Sequence, residues 1–226
     1  MEYFRTGEVL GKSWDMFKAH WLFLLMILGI TLVSQVIISG LEKATQDMMG
    51  ISLLVSIATF LASLWISFNF IKLYLHLIDT NTEGKISEAF SFSQSFWPFL
   101  GASLLFTLMF VVGLLLFIVP GIYWALKYQF YGELIVDKKM GVLESLKKSS
   151  EITKGVKWQL LGFGFVLVGV NILGALALGI GLFVAIPMSS LAYFMVYRKL
   201  SVRLESVPPT PSVIPAPEAP VTPAAV

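Results

Sequence analysis

Lys127 stands in an apolar segment, six positions after Pro120-Gly121 and beside Tyr123, Trp124 and Leu126. An ammonium in such a setting is costly unless it pairs or reaches water. It could hold an anion or a solute, or clamp backbone carbonyls at a helix contact. It could also stretch along its own stem to the interface, which the shortness of the segment favours. Glu133, six positions on, falls off the Lys127 face of a helix, so the two are not expected to pair. Asn69, Lys72 and His76 share a helix face at i, i+3 and i+7. They suit a polar vestibule or proton path. They equally suit a helix end emerging into water, the favoured reading for Lys72 and His76. Asn69 and Asn171 lie deeper and suit hydrogen bonds between helices. Lys127, Asn69 and Asn171 are therefore the candidate polar site of a small-solute transporter or channel.

No catalytic constellation accompanies them. Cysteine is absent, and His20 and His76 are the only histidines. No HExxH, P-loop or GxGxxG pattern occurs, so no metal or cofactor is expected and the chain is expected not to be an enzyme. Asp79 and Asp137 close two similar segments, Leu77-Ile78-Asp79 and Ile135-Val136-Asp137, and suit structural caps better than paired acid–base work. Lys147, Lys148, Lys154 and Lys157 form a basic patch. Beside apolar spans it points to anionic lipid headgroups rather than nucleic acid.

The elements that must position these residues follow from composition. Of 226 residues, 57% are hydrophobic and 13% charged, about half the charge of a soluble domain at about 25%. Mean hydropathy is +0.82. A polytopic membrane protein is implied, all-α because helices satisfy their own backbone in lipid. Four stretches lack Asp, Glu, Lys and Arg: 19–41, 48–71, 89–126 and 158–197. The last two are about twice the length of roughly 20 residues that crosses a bilayer, so each must fold back. Pro120-Gly121 is the expected hairpin turn of one, and Gly179-Ile180-Gly181 with Pro187 that of the other. Six transmembrane helices result, near 21–39, 51–78, 96–118, 121–136, 158–178 and 182–198.

Charge orients them. Fourteen of the 16 basic residues fall on one face; the other face has Lys43, and Lys127 is intramembrane. The positive-inside rule makes the fourteen cytoplasmic, with both termini, in a plasma or bacterial inner membrane. Ahead of helices one, three and five lie short amphipathic stretches ending at Trp21, Trp97 and Trp158. The first carries Val9, Leu10, Trp14 and Phe17, the second Ile86, Ala89, Phe90 and Ser93, the third Val142, Leu143, Leu146, Ser149, Ser150 and Thr153. Each suits a helix lying in the headgroup layer. Three repeats of interfacial helix plus helical hairpin are expected. Ser52, Ser56, Thr59, Ser63 and Ser67, and the pairs Ala175/Gly179 and Ala177/Gly181, suit close helix packing. Residues 1–200 form the integral membrane domain. The remainder, 201–226, is a disordered Pro-rich cytoplasmic tail with seven of the ten prolines.

Pro120-Gly121-Ile122-Tyr123, Lys127, Leu134-Ile135-Val136-Asp137, Leu146-Lys147-Lys148-Ser149, Lys154-Gly155 and Trp158 follow one another in an order that resembles a known pattern. It is similar to the membrane domain of some glycerophosphoryl diester phosphodiesterases and to YciC-like uncharacterised bacterial inner-membrane proteins. The resemblance is densest over 118–165 and, in layout, extends to most of 5–200. It implies a multi-pass bacterial membrane protein. It does not imply phosphodiesterase activity, which belongs to a separate soluble domain. A structural or interaction role in the cell envelope is the leading expectation, with transport through Lys127, Asn69 and Asn171 the alternative.

Overall fold

The computed structural model describes residues 4–89, 93–177 and 179–206. The expected tail beyond Ser206, and Phe90 of the second amphipathic stretch, lie outside them. Every regular element among the described residues is helical: α1 Thr6–Ala19, α2 Trp21–Thr45, α3 Met49–Thr80, α4 Ile86–Ala89, α5 Phe96–Leu116, α6 Ile118–Tyr128, α7 Tyr131–Lys138, α8 Val142–Ile152, α9 Lys157–Leu176 and α10 Leu182–Ser206. By length and composition four can cross a membrane: Trp21–Thr45, Gly50–Thr80, Phe96–Leu116 and Lys157–Leu176. At 1.5 Å per residue even the shortest reaches about 30 Å, the thickness of a hydrocarbon core.

Three antiparallel hairpins make the bundle: α2 with α3, α5 with α6 and α7, and α9 with α10. The return of the second hairpin is not one helix over 121–136. It breaks at Gln129-Phe130 into α6 and α7. The groups freed by the break are caught by α8. Ser149 Oγ accepts the Phe130 N–H at 3.2 Å and donates to the Lys127 carbonyl at 3.2 Å, and Thr153 Oγ1 donates to that carbonyl at 3.0 Å. A kink inside an apolar bundle persists only when its backbone groups find such partners.

The turns differ from expectation in one case. Pro120-Gly121 is not the turn itself. The chain reverses at Phe117, which is extended, and Pro120 sits in the first turn of α6. There a proline lacks an N–H that no intrahelical acceptor needs. Gly121 instead lets the two legs touch: a Cβ on Gly113 would stand 2.9 Å from the Gly121 Cα. The third hairpin does turn at Gly179–Gly181, with Gly179 at φ +76. Its legs touch through Gly174 and Gly181 rather than through the Ala175/Gly179 and Ala177/Gly181 pairs, and Ala175 and Ala177 are exposed. Pro187 is carried inside α10.

The hydroxyl stripe of α3 is also only partly a packing face. Thr59 is buried and donates to Glu42 Oε1 of α2 at 2.9 Å, while Ser56 and Ser67 are exposed. The amphipathic helices do more than float. α1 packs on α10, α4 on α3, and α8 on α6 and α7. Ser145, Leu146, Ser149 and Ile152 of α8 are buried in protein, with Glu144 and Lys147 outward. Its apolar face is therefore largely covered by the bundle and not by lipid. Residues 201–206, expected to belong to the tail, are the last turns of α10.

The glycine contact yields a first prediction. Gly181→Val places a side chain against the Gly174 carbonyl oxygen, only 2.7 Å from where its Cβ must lie. Overpacking of this kind costs about 1–3 kcal/mol, so thermal unfolding in detergent should drop clearly. Gly169→Ala, into open space, should leave the melting temperature within a degree or two or raise it, since Ala is about 1 kcal/mol the better helix former.

Candidate functional site

The three hairpins end in comparable segments: Leu77-Ile78-Asp79 in α3, Ile135-Val136-Asp137 in α7 and Val196-Tyr197-Arg198 in α10. Leu77, Ile135 and Val196 are each fully buried. Two of the segments close in an acid and the third in a base, and the structure joins them. Arg198 Nη1 donates to Asp137 Oδ2 at 2.7 Å, and Nη2 bonds Asp79 Oδ2. Tyr197 donates to the same Asp137 oxygen at 2.8 Å. One guanidinium thus ties the ends of three hairpins. A planar fork is the group suited to holding two carboxylates at once. Asp79 and Asp137, expected as structural caps, are instead ion-pair partners across the bundle.

Beside this cluster α1 lies along α10. Glu8 Oε1 accepts from Lys199 and from Lys12, both at 3.0 Å, and these cations hold its carboxyl below the usual range. A groove of about 500 Å³ runs there, between Lys12, Met16, Ile78, Met195, Arg198 and Lys199. Ser13 is fully buried and donates to the Val9 carbonyl at 2.8 Å, closing the underside of α1.

The three sequence-derived candidates are not brought together. Lys127 is half-buried; its ammonium stands 4.8 Å from the centre of the Tyr128 ring. Its backbone carbonyl, not its charge, makes the contacts to α8 described above. Asn69 is fully buried, but its amide donates at 2.7 Å to the Trp65 carbonyl of its own helix. Lys72 reaches Asn69 Oδ1 at 3.5 Å and lies over the Phe68 ring, while His76 is exposed. Asn69 therefore does not bridge helices, because a helical Asn can satisfy itself on the carbonyl one turn back. Asn171 does bridge: its amide donates to Ser189 Oγ of α10 at 2.8 Å. It lines a groove of about 670 Å³ with Ser189, Ser190 and Tyr193, which includes neither Lys127 nor Asn69.

Sequence reasoning missed two residues. Arg198 reads in sequence as one more cytoplasmic positive charge, and its role appears only when the three exits are aligned. Glu133 was considered only as a partner for Lys127, and it is indeed unpaired with it. The structure buries Glu133, 5% exposed, with Oε2 lacking any hydrogen-bond partner. Its carboxyl interacts with the hydroxyl of Tyr193, which donates to the Gln129 carbonyl at 3.0 Å. No cluster of three or more His, Cys, Asp or Glu suited to a metal occurs among the described residues.

The class defined by this architecture is an all-helical protein with four helices able to cross a membrane. The model of a family described as "Protein of unknown function (DUF975)" matches residues 104–204. The match begins within α5, takes in the rest of the second hairpin and the third, and stops six residues past Arg198. It covers less than half of the chain. No curated protein and no solved structure matches. The likeness to the phosphodiesterase-linked membrane domain is not supported by these comparisons, whereas likeness to an uncharacterised family is.

Two predictions follow from the charges. Arg198→Leu takes the cation from Asp137, 13% exposed, and from Asp79, 44% exposed; the Asp137 half of the bridge is the costly one to break from one side, so melting should fall clearly, and Asp79→Asn with Asp137→Asn in the same chain should restore most of it. Unchanged melting of the single variant would show that the bridge holds nothing together. Lys127→Met removes a charge with no acidic partner among the described residues, so yield and melting in detergent should be unchanged or improved.

Proposed function

We propose that this chain is a six-pass membrane protein of three cyclically packed units that acts by association within the membrane and not by catalysis. Each unit is an amphipathic helix followed by a hairpin. The carrying observation is the single Arg198 bridge to Asp79 and Asp137, which fastens the three hairpin exits at one end. The packing of the amphipathic helices supports the same reading. That of unit two (α4) lies on the returning helix of unit one (α3), and that of unit three (α8) on the return of unit two (α6 and α7). That of unit one (α1) lies on the return of unit three (α10). Each unit therefore covers the one before, and the first covers the last. Such internal symmetry is common in membrane folds.

The fastened end holds α1 and the last turns of α10, and the fourteen basic residues that the sequence puts on one face support a cytoplasmic location for it by the positive-inside rule. The membrane would be a plasma or bacterial inner membrane, and the basic face would meet anionic headgroups. No arrangement of nucleophile, acid–base pair or metal ligands accompanies the fold among the described residues, which favours a structural or interaction role in the envelope.

A transport reading is favoured by one observation, the buried Glu133, whose Oε2 has no hydrogen-bond partner and whose carboxyl interacts with Tyr193, a residue of the groove that Asn171 and Ser189 also line. It replaces Lys127 and Asn69 as the core of that alternative. Vesicles holding the purified protein and a pH-sensitive dye separate the readings. The association role expects proton leak no faster than in empty vesicles; a leak abolished by Glu133→Gln would overturn it.

Topology can be checked because the chain has no native thiol. Single cysteines at Gln46, at Phe117 and at Ile180, the three hairpin tips, should react with a membrane-impermeant maleimide in intact cells. Those at Lys147 and Ser206 should react only after permeabilisation. Labelling at Ser206 in intact cells would leave α10 without a return crossing and break the three-unit scheme.

A further inference from the structure

Between α6 and α9 the bundle leaves a narrow slot of about 280 Å³, walled by Ile122 and Leu126 on one side and Leu161 on the other. Tyr123, Lys157 and Trp158 also line it. The Lys157 ammonium stands 3.8 Å from the centre of the Tyr123 ring. Lys127 lies one turn further along α6, within electrostatic reach of the same tyrosine. Trp158 is 84% exposed. No acidic residue is among the described residues lining the slot, and no side chain caps the N-terminus of α9 beside it. Both features leave the positive charge there uncompensated.

We propose that this slot is a binding site for one anionic phospholipid. Part of an acyl chain lies between Ile122, Leu126 and Leu161, and the phosphate meets the ammonium groups of Lys157 and Lys127. The chemistry fits each part. The slot is too small for a whole lipid but accommodates a portion of one chain, whose burial needs only apolar walls. A phosphate needs cations and donors, and Lys serves as a mobile point charge for it. Lys157 can leave the ring of Tyr123 for a phosphate because a cation–π contact at an exposed site is weak. An indole beside the headgroup occupies the position that tryptophan favours at a membrane interface. The site also gives Lys127 a use. A charge without an acid partner remains in a short helix because its partner is a ligand outside the chain.

The proposal rests on the membrane reading above, and the test keeps the two apart. Protein in detergent is first reconstituted into phosphatidylcholine vesicles; failure to incorporate would sink the membrane reading itself. Incorporated protein is then titrated with phosphatidylglycerol brominated on its acyl chains, and with brominated phosphatidylcholine as control. Trp158 quenching is read as the difference between the native chain and Trp158→Phe. Brominated phosphatidylglycerol should quench Trp158 at a mole fraction well below that needed for phosphatidylcholine. This preference should fall roughly fivefold for each lysine lost in Lys127→Gln and Lys157→Gln, about the effect of one basic residue at a charged surface. Lys127→Arg with Lys157→Arg should keep it, which controls for misfolding. Free glycerol phosphate should not compete, since it lacks a chain to fill the slot. Equal quenching by the two lipids, retention of the preference in the double Gln variant, or displacement by glycerol phosphate would each overturn the proposal.

Discussion

The bundle depends on one guanidinium. Arg198 is the base among the three exit positions, and it binds both acids. The interaction is strong for reasons of place. The Arg198 and Asp137 side chains are only 20% and 13% exposed, so water screens them little, and Tyr197 adds a neutral hydrogen bond to the same carboxylate. A lysine could reach one acid as a point charge but could not present two parallel donors to two helices. The rest of the fastened end is built around this junction. Leu77 and Val196 are buried in the main apolar core and Ile135 in a second cluster with Phe68, Phe96 and Phe99, and Phe130 packs obliquely on Tyr197 and on Tyr193. Polar specificity sits on an apolar layer, and each depends on the other. The layer keeps water from the ions, and the ions set which helices meet over the layer.

The second constraint is the bilayer's demand on backbone groups. Every break in a helix must be repaired by protein, and the repairs visible here come from residues distant in sequence. The α6–α7 break is repaired by Ser149 and Thr153 of α8, 19 to 26 positions away. The hairpin tips avoid the demand differently. Gly113 with Gly121, and Gly174 with Gly181, bring two backbones into direct contact, so dispersion replaces the hydrophobic effect as the source of cohesion. The α2–α3 hairpin has no such pair: Gly40 and Gly50 face open space. It is held higher up by Thr59 on Glu42 instead.

What the sequence made legible was what local physics determines. Charge-free run lengths and Pro/Gly positions placed the starts of the long helices within two residues, but α2 and α10 run six and eight residues past their expected ends, to Thr45 and Ser206. The rhyme between the Asp79 and Asp137 segments is legible because each acid follows two branched aliphatic residues, Leu77-Ile78 and Ile135-Val136. The third member was hidden, because Arg198 differs in sign and lay in a segment already explained by the positive-inside rule. Lys127 was singled out for its ammonium, yet the contacts to α8 are made by its carbonyl, and no side-chain statistic reports on a carbonyl. Asn69 and Asn171 look alike in sequence and differ in structure only because a helix happens to face Asn171 with a serine. Glu133 was weighed against its neighbour on one helix, whereas its isolation is a property of the packing around α7. Pro120 was misplaced by three residues because proline marks the first turn of a helix as readily as a turn between helices.

The distribution of burial shows where stability comes from. In α2 the buried residues are Phe23, Leu24, Ile27 and Leu28, all in its first two turns, whereas Val33, Val36, Ile37 and Leu41 are exposed. In α3 the order is reversed: Leu53, Leu54 and Ile57 are exposed, and Leu73, Tyr74, Leu75 and Leu77 are buried. The two helices are antiparallel, so both buried ends lie at the fastened side. Protein packing therefore holds the roots of the hairpins, and little protein covers the far half of the first. In water such faces would drive aggregation. In hydrocarbon they cost nothing, because a lipid tail is as apolar as leucine. The far half of the first hairpin is thus free to take its neighbours from the membrane. The Arg198 junction supplies the fixed point from which it extends.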